Sequence, residues 1–177
     1  MRLPGNSRRI VVDTNVAKSA GESVHPTSEA CRAVLETMLT RQHRVVLSAT
    51  QFREWQKHQS AYARRWLASM KAKNLWHVLT PEPDSGLTER LHKLDCTDKV
   101  RAEMLKDVHL LESALATDHA VVSQETNVLA LFTTHTQALG VPRAVAWVNP
   151  TEDAPACIAW LEAGAAVKAV RGVPAGV

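Results

Sequence analysis

Four carboxylates in this chain stand where chemistry on a phosphate would need them. Asp13 directly follows the β-branched run Arg9–Val12, within VVDTNV. Glu54 falls in the first turn or so of a helix expected after a second such run, Arg44–Leu47. Glu125 follows a third run, Val121–Ser123, by two residues. Asp107 sits on an expected helix with Leu110, Leu111 and Ala114 at i+3, i+4 and i+7, the polar member of an apolar stripe. Ligands of a parallel sheet bind beyond the carboxyl ends of its strands, where these acids would meet. Ionised carboxylates that close together repel, so either a pKa rises or a cation joins them. A hard divalent cation prefers oxygen donors, and Mg²⁺ usually takes one or two carboxylates and keeps several waters. There it would lower the pKa of a water and neutralise charge on a phosphate in flight.

The elements that must position these acids follow from hydrophobic period. Arg9–Val12, Arg44–Leu47, Val121–Ser123 and Ala144–Val148 read as strands, and Trp76–Leu79 as a short extended piece. Between them, helices are expected from Thr27 or Ser28 to about Arg41, Thr50 to Lys73, Leu87 to Leu94, Thr97 or Asp98 to about Ala116, and Val128 to His135. Pro155–Ala163 reads as a last helix. On the long Thr50–Lys73 helix, Phe52, Trp55, Trp66, Leu67 and Met70 share one broad apolar face, so both tryptophans belong to the core. Arg53, Lys57, Arg64 and Lys71 fall together on the opposite side, and Arg65 shares a flank with Glu54. Strands alternating with helices imply an α/β fold, a three-layer α/β/α sandwich around a mainly parallel sheet. One domain over residues 1–163 is expected, with 164–177, rich in Gly, Ala and Val, as a flexible C-terminal tail.

Three segments together resemble the motifs of the PIN-domain nucleases: VVDTNV, then LSATQFREW, then KDVHLLESALATDHAVVSQE. The resemblance spans about Arg9 to Val148. In that family an Asp ends the first strand, a Glu follows the second, an Asp lies on the helix before the fourth, and another acid comes just after it. Asp13, Glu54 and Asp107 match the first three positions, and Glu125 stands where the family usually has Asp. The resemblance implies the PIN-like sandwich, Mg²⁺ or Mn²⁺, and cleavage of RNA phosphodiesters, with Asn15 and Ser123 as polar supports. It also offers a toxin role, an antitoxin protein as partner and a homodimer. Extra helical material between Trp55 and Lys106 makes the chain longer than the small toxin-type members.

Charge distribution fits a polyanionic partner. Residues 1–76 carry 13 Lys and Arg against 5 Asp and Glu, while residues 77–177 carry 8 against 13. Arg53, Lys57, Arg64, Arg65 and Lys71 are therefore the candidate contacts to RNA phosphates. Cys31, Cys96 and Cys157 lie too far apart in sequence for a zinc motif and read as reduced thiols. No apolar run approaches the length of a membrane span and no signal core precedes Asp13, which suggests a cytoplasmic protein. HExxH, P-loop and GxGxxG patterns are absent from the chain.

Each acid also has a plain structural role open to it. Asp13 could start a turn with Asn15, and Glu54 could pair with Arg53 or Lys57. Asp107 could be a surface residue beside Lys106, and Glu125 a helix N-terminal acid. Asp118 reads as a turn residue and His109 as structural or solvent-facing, because it follows Asp107 by only two helical positions. Two rival functions stand beside the ribonuclease. One is a phosphatase with Asp13 as nucleophile, weakened because Asn15 occupies the place of its second Asp. The other is a catalytically inactive module that binds RNA or a protein partner.

Overall fold

A computed structural model describes residues 6–176. Six strands form one sheet in the order β3-β2-β1-β4-β5-β6. They are β1 (Arg9–Val12), β2 (Arg44–Ser48), β3 (Trp76–Leu79), β4 (Ala120–Val122), β5 (Val145–Val148) and β6 (Gly172–Val173). The first five run parallel, and β6 is antiparallel to β5. The helices are α1 (Thr14–Ser19), α2 (Pro26–Thr40), α3 (Ala49–His58), α4 (Ala61–Ala72), α5 (Leu87–Lys93), α6 (Asp98–Leu115), α7 (Thr126–Thr134), α8 (Thr136–Leu139) and α9 (Ala154–Glu162). None among the described residues is long and apolar enough to cross a membrane.

Strand alternation divides the core in two. Ile10, Val12, Val45, Leu47, Val122 and Val148 pack with side chains of α1, α2, α3, α4 and α9. Val11, Val46, Val121 and Trp147 point the other way, into side chains of α5, α6, α7 and α8. Helices thus cover both faces, which is why the central strands are apolar on both sides and carry no polar alternation. The arrangement is compatible with the expected three-layer α/β/α sandwich. Each fully buried Val or Leu in these clusters contributes about 2 kcal/mol of burial free energy.

Two expectations need correction. The helix expected from Thr50 to Lys73 is two helices, α3 and α4, broken at Gln59 and Ser60. Gln59 is extended, and the Ser60 hydroxyl accepts from Ala63 N–H at 3.0 Å as the cap of α4. The same hydroxyl donates to the Ala20 carbonyl at 2.7 Å, which ties the break to the end of α1. Residues 164–176, expected as a flexible tail, carry a 3₁₀ turn at Val167–Ala169 and then β6. Without β6, the free edge of β5 would present unpaired N–H and C=O groups, and pairing Val145 with Val173 satisfies them. Val177 lies outside the described residues.

Candidate functional site

The site is built where strands end and helices begin. β1 stops because Asp13 turns the chain: its carboxylate accepts from Asn15 N–H at 3.4 Å and caps α1. β2 ends at Ser48, which caps α3 through Gln51 N–H at 3.2 Å. β4 ends at Val122, and Ser123 and Gln124 lead into α7 with Glu125 at its N-cap position. Gln51 and Trp55 of α3 both donate to the Val12 carbonyl, so the end of β1 is held one residue before Asp13. The α6 helix, capped by Thr97, packs on one face of the sheet and places Asp107 on the wall of the same site.

Asp13, Glu54, Asp107 and Glu125 all line one open pocket of about 370 Å³. Asn15, Thr14, Thr50, Lys106 and His109 complete its wall. The Ser123 hydroxyl donates to Asp13 Oδ2 at 2.7 Å and accepts from Glu125 N–H at 3.0 Å. The Asn15 amide donates to Glu125 Oε1 at 3.5 Å and accepts from Gln124 N–H at 3.3 Å. The two residues expected as polar supports therefore join the loop after β1 to the loop after β4.

The acids differ in environment. Asp13 and Asp107 are each only 8% exposed. Burial raises the Asp13 pKa above the usual carboxylate range, against the lowering effect of Ser123 and the Asn15 N–H. Burial, followed by the negative charge of Asp13, pushes Asp107 up to about 7, and Lys106 opposes the rise. Glu125 adds repulsion to both. Glu54 is looser: its side chain is 43% exposed, with Lys57 Nζ at 3.7 Å and His58 Nε2 at 3.6 Å on its own helix. The pairing with Lys57 is the structural role that sequence alone left open for it, and it coexists with a place on the pocket wall.

The four acids offer hard oxygen donors, and the rise of Asp107 to about 7 marks negative charge without a partner. Both features suit a divalent cation more than a zinc-type site of nitrogen and sulfur. Among the described residues, no three His, Cys, Asp or Glu side chains converge tightly enough to grip an ion by themselves. A cation of the Mg²⁺ kind, which uses one or two carboxylates and retains water, does not require that convergence.

The basic residues are placed elsewhere. None of Arg53, Lys57, Arg64, Arg65 and Lys71 lines the pocket. Their single stripe depended on one unbroken helix, and the turn at Gln59 and Ser60 divides it between α3 and α4. Arg53 donates to Thr50 Oγ1 at 3.2 Å, and Arg65 pairs with Glu22 instead of lying beside Glu54. Lys71 Nζ lies 4.7 Å from the ring centres of both Phe52 and Trp76. Arg64 is exposed.

Helical spacing sets His109 away from Asp107, yet both residues line the pocket. On a helical wheel the two are about 160° apart by the shorter way, with Lys106 between them. All three line the pocket, so it embraces nearly half the circumference of α6. Asp118 stands apart from the four acids, in the turn before β4, where it accepts from Arg9 N–H at 2.7 Å and from the Arg9 guanidinium. No protein-family model matches this chain, and no curated protein matches it.

Proposed function

We propose that this chain is a metal-dependent endoribonuclease of the PIN-domain type. The observation that carries the reading is the meeting of Asp13, Glu54, Asp107 and Glu125 in one pocket, from four separate chain segments. The three sequence motifs of the resemblance coincide with the segments that bring them there. Asp13 and Asp107 would hold the principal Mg²⁺ or Mn²⁺, and Glu54 and Glu125 a second, weaker one. Bound there, the cation supplies a water of lowered pKa and neutralises charge on the phosphate. Ser123 keeps Asp13 turned into the pocket, and Asn15 does the same for Glu125. Asp107 would offer the cation a carboxylate oxygen, and Lys106 on the same pocket wall would meet the substrate's phosphate. The acids act as ligands, so no covalent enzyme intermediate is formed.

One observation favours a second reading, a module of the same fold that binds RNA without cutting it. The acids do not close around an ion unaided, and Glu54 is engaged by Lys57 and His58. A labelled mixed RNA pool incubated in Mn²⁺, Mg²⁺ or EDTA separates the two. Cleavage that needs metal and vanishes in the Asp13→Asn/Asp107→Asn double variant supports the nuclease. RNA retention without cleavage in either metal moves the assignment to the binding module. A toxin role is a matter of biology beyond this chemistry: growth arrest on expression, relieved by a neighbouring gene's product, would support it.

A further inference from the structure

A row of positive charge lies away from the pocket, at the amino ends of the strands. Arg9 and Arg44 open β1 and β2 and stand opposite each other in register. Strand alternation puts both on the face of Val11 and Val46, and His77, paired with Val46, shares it. His119 precedes β4, and the exposed Arg143 lies two residues before β5. Because β2, β1, β4 and β5 are neighbours in the sheet, these residues follow its amino end. The crowding of charge is recorded in the two histidines. Burial, then Arg9 and Arg44, lowers the His77 pKa. Burial, then Arg143, lowers that of His119, with Arg8 and Arg9 adding to the effect and Asp118 opposing it.

Like charges directly opposite on neighbouring strands destabilise a sheet unless an anion answers them. Asp118 serves only one of the two arginines. Its Oδ2 accepts from Arg9 N–H at 2.7 Å and from Arg9 Nε at 3.2 Å, and its Oδ1 from Arg9 Nη2 at 2.8 Å. Arg44 is half-buried, with its Nε enclosed and without an acceptor. Among the described residues its guanidinium joins no hydrogen bond or ion pair. Such a group is a planar fork of donors that fits phosphate oxygens two at a time. Cations spread along the ends of several strands suit a backbone of successive phosphates better than one small anion.

We infer that Arg44 and Arg143 bind backbone phosphates of RNA, at the end of the sheet opposite the acid pocket. The inference rests on RNA being the ligand, which the nuclease and the binding module share, and it does not require cleavage. Arg9 and Asp13 lie at the two ends of β1, about 13 Å apart. The surface is therefore a second contact, reached by nucleotides that flank the one in the pocket. It adds affinity and leaves turnover at saturating RNA unchanged. It reads no sequence, because phosphate contacts carry none.

The test measures binding of a labelled single-stranded RNA to the full chain by fluorescence anisotropy, in EDTA and over a range of salt. Arg44→Gln is expected to bind about tenfold more weakly, and the slope of log affinity against log salt to fall by about 1. Arg143→Gln is expected to move both quantities in the same direction. Lys93→Gln removes one positive charge from α5, where Lys93 pairs with Glu89, and is expected to match wild type. Phenylglyoxal labelling of the wild type needs no variant to fold, and RNA is expected to protect Arg44 and Arg143 from it. Wild-type affinity and salt slope in Arg44→Gln overturn the inference, as does a wild type in which RNA protects neither arginine. Protection by poly-glutamate and not by RNA also overturns it, and assigns the surface to an acidic protein. A protein that shows the expected losses in binding yet cuts no RNA in Mn²⁺ or Mg²⁺ is a different result: it removes the nuclease reading and upholds this inference.

Discussion

The Ser123 hydroxyl donates to Asp13 Oδ2 over 2.7 Å, inside a site where burial raises the pKa of that carboxyl. A short O–H···O⁻ bond favours the ionised form, which is the form that can bind a cation. The same oxygen accepts from Glu125 N–H, so one side chain sets both the charge of Asp13 and the course of the loop carrying Glu125. Ser123→Ala is therefore expected to lower metal-dependent cleavage by about 10- to 100-fold, the usual cost of losing a group that orients a ligand. Stability should fall by only about 1 kcal/mol. Ser123→Thr should retain most activity. Steady-state cleavage and thermal denaturation on the three proteins check this, and an Ala variant as active as wild type would refute the role given to Ser123.

Asp118 supplies a control at a position remote from the four acids. Burial disfavours its charge, but the Arg9 N–H and guanidinium outweigh burial and hold its pKa below the ordinary carboxylate value. The folded state therefore gains from this carboxylate at neutral pH and loses the gain as pH falls through the lowered pKa. Asp118→Asn is expected to cost about 1–2 kcal/mol at pH 7, with the partial exposure of the pair keeping it at the low end. The difference from wild type should shrink below about pH 4. Cleavage per folded molecule should be unchanged, since Asp118 does not line the pocket. Urea melts at several pH values measure the first part and titrated activity the second.

Much of this architecture is legible in the sequence because the strands are apolar on both faces. Runs such as Arg9–Val12 and Arg44–Leu47 stand out against helical period, and the acids at their ends mark the carboxyl edge of the sheet. The break between α3 and α4 is not legible. Apolar positions keep helical spacing from Trp55 to Met70 across it, no Gly or Pro marks it, and the cap is a lone serine. The contribution of β6 is also hidden, because two residues without periodic signal are recruited only by the open edge of β5. His109 was missed for a geometric reason: a helical wheel assigns one face to one partner, and a pocket at an open sheet end touches more than one face.

The cysteines give a prediction about reactivity. Burial pushes the Cys31 thiol up to about 11, and burial with nearby acid does the same for Cys157. The nucleophile in thiol labelling is the thiolate, so both should resist alkylation at pH 8. Cys96 is only partly buried and should react first. Iodoacetamide footprinting of the native protein is expected to modify one thiol quickly and the other two only on unfolding. Rapid native labelling of Cys31 would mean that the packing of α2 against the sheet is looser than described.

The stability of the metal-free protein should record the conflict between Asp13 and Asp107. Asp107 is raised from its ordinary 3.8 to about 7, chiefly by burial and then by Asp13. Between those values the folded protein keeps a proton that the unfolded chain has released. Rising pH therefore draws the equilibrium toward the unfolded chain across that window, and the penalty is constant above it. At 1.4 kcal/mol per unit the ceiling is about 4 kcal/mol, and relaxation of the site should leave roughly 2. Asp107→Asn carries no such charge, so in EDTA it should be more stable than wild type at pH 8 and nearly equal to it at pH 4. Addition of Mn²⁺ should reverse the order at pH 8, because a cation that binds only the folded wild type stabilises it by mass action. Thermal melts of the two proteins at both pH values, with and without Mn²⁺, read out all of these comparisons. A variant less stable than wild type in EDTA at pH 8 would show that Asp107 serves the fold, and would remove the electrostatic case for a cation beside it.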